Sequence, residues 1–533
     1  MKNLINIAAG AILSLTAFTS CHKLDLEVAT QLTPETFPQT EQHFVQLTGQ
    51  VYVQLRQGIS TDYFFMQTLS TDEAIMPARG GNWYDGGTYE QHHKHTWTQD
   101  NGHVGSGWNW LSSTISKANQ SLFLLKDAPE SPAKITTLAE LRATRALALF
   151  MMMDLWGNIP VVTSFGQSES PEQKPRAEVF AFLEKELKEI LPDLSTVVGV
   201  ATYGRPTKYT AHAILAKMYL NAEVYTGTAR YNDAVAQCDA IISAPGTPFA
   251  LESDFKKMFF IDNGPQIKEF IFAIPFNPSF TSGNFIPARY SLPRSLQKKY
   301  SLNHTPSAPM STLPEFYANF TNDANDKRNA QWIKGLQFLN SGAPVTVPTT
   351  KKGYDQFYSG SDGSAPITYQ VDITPTVTLR DGSRPFDAGN DEIAWNMGYR
   401  NNKFYCDSTS ANRNQNNDFP MFRYSDILLM KAEAILRGAT PTLGHTALSL
   451  VNQLRAVRTT STPWATVTLE DLYKERCREF SWECWHRNDM IRFGKYEGSW
   501  GFKTDAQTFH RLMPIPASAM ILNPKLKQNP GYN

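Results

Sequence analysis

Residues 139–162 read AELRATRALALFMMMDLWGNIPVV. Ala139, Ala143, Ala146, Phe150 and Met153 recur at four- and three-residue spacing, which places them on one face of a helix. Trp156-Gly157 and Pro160 end that helix. The run Met151 to Met153 reads as adaptable core packing rather than a cofactor box.

The same period returns along the chain. Residues 178–191 form an amphipathic stretch between Pro175 and Pro192. Ala211, Leu215, Met218 and Ala222 repeat at helical spacing, and after a break at Thr226-Gly227 the pattern resumes over 231–242. Leu428, Ala432 and Ile435 mark a helix over 424–436, Gly438 and Pro441 break it, and Ala447, Leu450, Val451 and Leu454 mark its partner. Helix pairs with short Gly/Pro turns, recurring at about 34–45 residues, predict a tetratricopeptide-like array of helical hairpins.

Residues 244–420 are different, rich in Gly, Pro, Ser, Thr and Asn. Residues 269–274 read as a buried strand. Ile367, Tyr369, Val371 and Ile373, then Val377 and Leu379, alternate with polar residues near Asp381-Gly382, which predicts a hairpin there. The expected fold is therefore mostly α: a helical scaffold over about 40–243 and 421–533, with a loop-rich insert over about 244–420 that contains short strands. A long loop-rich insert is where function is expected.

The N-terminus carries an address. Lys2, an apolar stretch over 4–18 and the small residues Thr19-Ser20 lead to Cys21. That layout predicts an export signal over residues 1–20 with lipidation of Cys21. The stretch is broken by Gly10, Ser14 and Thr16 and falls short of the roughly 20 apolar residues that span a bilayer. Basic and acidic residues balance at 50 each, which argues against nucleic acid as a partner. Aromatic residues make up 12% of the chain, a composition that suits binding through ring faces. Cys238, Cys406, Cys477 and Cys484 form no CxxC pair and read as buried thiols. Cys477 and Cys484 lie seven apart in a segment that reads as helix. Seven residues rise about 10.5 Å, too far for a disulfide, which needs Cα atoms within about 7 Å.

Enzyme signatures are missing: there is no HExxH, GxSxG, Walker loop or GxGxxG. His92, His93 and His95 read as a solvated loop. Asp323, Asn325 and Asp326 lack the glycine and distal glutamate of a calcium loop. No catalytic residue, metal or cofactor is expected.

Residues 71–87, TDEAIMPARGGNWYDGG, are better hardware for binding. Gly80, Gly81, Gly86 and Gly87 permit a sharply turned loop. Asn82, Trp83, Tyr84 and Asp85 lie between them, with Arg79 just before. A pyranose offers an apolar face to Trp or Tyr and a rim of hydroxyls to Arg, Asn and Asp. The same Trp83 and Tyr84 would equally serve to pin the loop to the helices.

Four blocks carry a resemblance to a known family: residues 139–162; PMFRYSDILLMKAEAILR over 420–437; ERCREFSWECWHRNDMIRFG over 475–494; and PIPASAMILNPKLKQNPGY from Pro514. Together they resemble the SusD/RagB family of outer-membrane nutrient-binding lipoproteins of Bacteroidetes. The resemblance implies one SusD-like unit over residues 21–533, lipid-anchored to the outer membrane and facing the exterior. It implies a non-catalytic protein that captures an oligosaccharide and delivers it to a SusC-like TonB-dependent transporter. A peptide- or glycoprotein-binding uptake lipoprotein is the alternative, and a surface glycoside hydrolase is a more distant one. In such relatives the loop after the TDE-like triplet contributes to the glycan site, and the insert supplies further aromatics, for which Phe285, Tyr290 and Tyr300 are the candidates. Residues 304–310 hold no aromatic where many relatives show one, which implies a thinner arc or a ligand other than starch. Cys484 stands where relatives usually have Gly, implying a backbone that tolerates a side chain. His486 stands where they have Arg, implying a weakened ion pair. Glu475, Glu479, Glu483 and Asp489 read as salt-bridge partners of the scaffold.

Overall fold

Helix α3 (Pro132–Trp156) begins where the Ser131 hydroxyl accepts the Lys134 N–H and Pro132 occupies the first turn. From Ala139 to Trp156 almost every side chain is buried, because α3 is covered on more than one side. The computed structural model that shows this describes residues 37–279, 283–349, 367–380 and 386–532. Cys21 and the export signal lie outside the described residues.

The other long helices are α1 (Glu41–Gln57), α2 (Gly102–Leu124), α4 (Arg176–Ile190), α5 (Lys208–Leu220), α6 (Tyr231–Ile242), α7 (Tyr424–Leu436), α8 (Ala447–Arg458) and α9 (Leu469–Phe480). Each helix from α2 to α8 packs on the one before it in sequence. That succession of hairpins is the tetratricopeptide-like array the periodicity predicts. The array continues across the insert, since α7 docks directly on α6. Thr446 and Thr468 open α8 and α9 with reciprocal capping boxes, which explains their sharp starts.

The insert leaves and rejoins the scaffold through one strand pair. β1 (Phe270–Ile274) runs antiparallel to β4 (Phe419–Arg423), and all ten residues are buried. Within the insert, β2 (Thr346–Thr349) pairs antiparallel with β3 (Ile367–Gln370). The predicted alternation is therefore a strand with a different partner. β3 pairs back in sequence, not forward across Asp381-Gly382; those two residues lie outside the described ones, and Val377 to Leu379 form no strand. The next residues, Asp372–Ile373, pair with Gly335–Leu336.

Charge holds these parts together. Glu479 on α9 accepts from Arg328 (3.0 Å), Arg423 (2.7 Å) and Arg458 (2.9 Å). Arg423 at the end of β4 also pairs with Glu269 (2.6 Å) beside β1 and with Glu483 (2.7 Å). Glu475 pairs with Arg328 at 2.7 Å, and Lys403 pairs with Glu483. A second network joins Lys217 on α5 to Asp426 on α7 (2.6 Å), and Arg476 to Asp426 (2.9 Å) and Asp489 (2.7 Å). All of these groups are buried. Glu475, Glu479, Glu483 and Asp489 are thus scaffold carboxylates held by cations, as their sequence pattern implies.

Four readings need correction. The segment holding Cys477 and Cys484 is not one helix: α9 ends at Phe480, Trp482 and Cys484 adopt φ of 60° and 64°, and a short helix follows over His486–Arg492. The turn lets Glu483 reach Arg423 and lets the Trp482 N–H meet the Glu73 carboxylate. Cys484 therefore occupies a left-handed conformation that favours glycine, rather than a tolerant backbone; the four described cysteines are free. His486 does not weaken its pairing. Its Nε2 lies 2.6 Å from Asp72, and although burial pulls the imidazole down, Cys477 and Asp72 hold its pKa well above the usual value. His92, His93 and His95 are buried rather than solvated, because helix Thr88–Lys94 turns them beneath the neighbouring loops.

Glu479→Gln leaves three buried arginines short of a counter-charge, and urea unfolding should show a loss of about 3–5 kcal/mol. Acid should act on the same network. Burial raises the Glu475 carboxyl, but Arg328 and Arg478 outweigh it and hold the pKa at about 2. Its stabilisation is therefore complete above about pH 4.5 and is lost as pH falls towards 2. Thermal midpoints measured down that range should fall steeply, and Glu475→Gln should flatten the fall.

Candidate functional site

The loop over 78–88 is built by a carboxylate from the insert. Asp387 is fully buried and accepts the N–H groups of Gly80 (2.7 Å), Gly81 (2.8 Å) and Gly389 (2.7 Å). Arg380 adds an ion pair to it at 3.0 Å. Gly80 has φ of 63°, and a Cβ there would stand 2.3 Å from Asn390 Cβ, so only glycine fits. The turn then carries Trp83 and Asp85 at φ of 62° and 43°. Two non-glycine residues in that region within one short loop mark stored strain.

This geometry sorts the expected site residues. Arg79 is buried behind the loop and donates to the carbonyls of Ala394 (2.5 Å) and Pro309 (3.2 Å). Burial lowers its pKa to about 10, with Asp387 as the partial compensation. Arg79 is therefore a structural pin beyond reach of a ligand, which corrects its place in the sequence-based site. Asn82 donates Nδ2 back to the Arg79 carbonyl at 3.3 Å. Tyr84 is 46% exposed, and Asp85 is exposed while its Oδ2 accepts the Tyr89 hydroxyl at 2.9 Å.

Trp83 is half-buried, and its ring packs edge-on against Tyr290 with centroids 6.3 Å apart. Tyr290 itself is buried, stacked on Phe64 at 6.1 Å and edge-on to Phe65 at 4.8 Å. It supports the site from behind and offers no open face, a second correction. Phe285 is half-buried and tilts against Tyr290 at 6.5 Å. Tyr300 packs elsewhere, against the cluster of Leu292, Leu296, Leu302 and Ile333, and its hydroxyl accepts from Asn402 at 3.2 Å. The structure thus gathers Trp83, Phe285 and Tyr290 and leaves Tyr300 outside the group.

The sequence reading missed the polar residues between these rings. The Arg289 guanidinium carbon lies 5.3 Å from the Trp83 ring centre and 5.7 Å from that of Phe285. Beside Phe285 opens a cleft of ≈ 280 Å³ whose lining includes Arg289, His304, Thr305, Asn412, Arg413 and Asn414. Arg289 stands in the turn Ile286–Ser291, where Tyr290 points inward and Arg289 outward. Arg413 arrives from a distant loop and donates Nε to the Thr305 carbonyl at 2.8 Å. No local pattern marks either arginine, since only the fold brings these loops together.

Among the described residues, His95, Asp505 and His510 are the one trio whose metal-ligating atoms gather within 4.8 Å. His510 Nδ1 lies 2.7 Å from Asp505, and His95 Nε2 lies 2.9 Å from the Ser70 carbonyl. Burial, then the positive charge of Lys503, depresses the His95 imidazole, so the surroundings disfavour a further cation.

Comparison with known proteins follows the same architecture. The profile described as the SusD family matches residues 268–532, and one described as starch-binding associating with outer membrane matches residues 25–220. The starch-binding protein SusD of Bacteroides thetaiotaomicron is 25% identical over 430 residues, covering 74% of this chain and 72% of that protein. SusD-like protein P25 of Formosa agariphila is 24% identical over 454 residues, covering 81% and 79%. Among solved structures, a laminarin-binding SusD-like protein superposes with a TM-score of 0.70 at 22% identity, over 93% of this chain and all of that one. Surface glycan-binding protein A of B. thetaiotaomicron in complex with laminarihexaose superposes at 0.68 and 20% identity, over 92% and 99%. A helical-hairpin array zipped to a loop-rich insert, and two profiles that together run through both, have one meaning: this chain belongs to the SusD family.

Proposed function

We propose that this protein captures an oligosaccharide at the bacterial surface, using the loop over 78–88 and the facing turn of the insert. The observation that carries this reading is the ring group: half-buried Trp83 and Phe285 flank Arg289, beside an exposed Tyr84. Aromatic faces with polar groups between them match the amphipathic surface of a sugar ring. The names of its relatives, a starch-binding protein and a protein solved with laminarihexaose, support the same ligand class. Contacts of about 1 kcal/mol per ring and per hydrogen bond give micromolar to millimolar affinity.

In this reading Cys21 carries the lipid that holds the protein at the outer membrane, and a SusC-like TonB-dependent transporter receives the sugar. The family profile described as associating with outer membrane supports that location. Among the described residues no helix is long and apolar enough to cross a membrane. Tethering beside a transporter raises the local concentration of a weak binder, which is where such affinities become useful.

Titration calorimetry against an oligosaccharide panel tests the site. Trp83→Ala should weaken the saccharide that binds about tenfold, the worth of one stacked ring, with unchanged circular dichroism. Unchanged affinity, or binding of peptides alone, would count against this reading. Asp387→Ala should act indirectly: it strands three N–H groups, two of them buried, so the thermal midpoint should fall and affinity should drop with it.

A further inference from the structure

The cleft beside Phe285 carries more positive charge than a neutral sugar needs. Arg289 and Arg413 line the same ≈ 280 Å³ space, and no carboxylate lines it. Neither arginine forms an ion pair among the described residues. Acids of the neighbouring segments have other hydrogen-bond partners. Asp62 pairs with His103 at 2.8 Å, Asp85 accepts from Tyr89 at 2.9 Å, and buried Asp407 accepts from Thr409 (2.6 Å) and Asn416 (2.7 Å). Arg79 and Arg400 also lack an ion pair, but they are buried and spend their donors on protein carbonyls. Arg289 and Arg413 are only half-buried and share an open cleft with no lining carboxylate.

The positions suit recognition. Stacking between Trp83 and Phe285 orients the Arg289 fork, and the bond from Arg413 Nε to the Thr305 carbonyl orients the other, leaving the two terminal nitrogens of Arg413 for a ligand. His304, half-buried, lines the same cleft. The two charges also feel each other: burial, then the charge of Arg289, lowers the Arg413 pKa. A bound anion would relieve that repulsion, whereas a neutral ligand would leave it.

We propose that the Arg289–Arg413 cleft is an anion subsite and that the saccharide held here is acidic, bearing a carboxylate or sulfate ester next to a ring stacked on Trp83 or Phe285. This rests on the glycan reading of the site and names its substrate class. Planar guanidinium forks match both groups bidentately, and the absence of aromatics from residues 304–310 leaves the room to polar recognition.

Binding to the lipid-free chain lacking residues 1–21 is measured with two matched series: uronic-acid oligosaccharides against their methyl esters, and sulfated galactan oligosaccharides against the desulfated forms. The acidic member of one series should bind at least about tenfold more tightly than its neutral match, and the advantage should shrink as salt rises. The series that responds tells carboxylate from sulfate. The double variant Arg289→Gln/Arg413→Gln should bring the acidic-to-neutral ratio near one, while Arg413→Lys should keep part of the ratio and its salt dependence. Thermal midpoints confirm that the variants fold. Tighter or equal binding of the neutral forms overturns the anion subsite and leaves the glycan reading standing. Failure of every saccharide, charged and neutral, overturns both.

Discussion

One carboxylate, that of Glu479, organises this molecule. Three buried arginines from three parts of the chain converge on it: Arg328 in the insert, Arg423 at the end of β4 and Arg458 on α8. Each arginine would be prohibitively costly to bury alone, and each is made tolerable by a carboxylate that another element supplies. Because Arg423 also grips Glu269 beside β1, the network closes the insert's base at the point where it leaves the helical array. Hydrophobic burial gives the array its bulk stability, but it is non-directional. The ion network supplies registry, since a one-residue slip of β4 would separate Arg423 from its three carboxylates.

That closure has a consequence for the site. The loop over 78–88 comes from the scaffold, while Asp387, which fixes it, comes from the insert. The loop holds its left-handed Trp83 and Asp85 only because the insert is docked firmly enough to over-determine them. Stability at the base is thereby converted into preorganisation of the loop at the surface, which lowers the cost of ordering it on binding.

The residues singled out as a site divide by depth. Trp83, Tyr84 and Phe285 present ring surface, whereas Arg79 and Tyr290 stand behind them as supports. Chemically equivalent residues therefore play opposite parts. Arg79 spends its donors on carbonyls of the protein, and Arg289 faces the outside between two rings. Charge compensation separates them: a buried arginine must be satisfied by the fold, and an arginine left uncompensated in a cleft is available to a ligand.

The sequence by itself determined the helical array, because a period of 3.6 residues is a local property that survives without knowledge of the partner. It determined the boundaries of α6 and α7, where breaks such as Gly438 stand beside the last periodic residue, and the glycine-dependent turn at Gly80-Gly81. It singled out neither α1 nor α2, and it read the segment holding Cys477 and Cys484 as helix because the reversal at Trp482 and Cys484 carries no glycine to announce it. Only the tertiary structure decided which strand β3 pairs with, which arginines are pins and which face a cleft, and how Arg413 comes to stand beside Arg289. Those are relations between segments far apart in the chain. They depend on packing and charge pairing across the fold, and no local pattern of side chains encodes them.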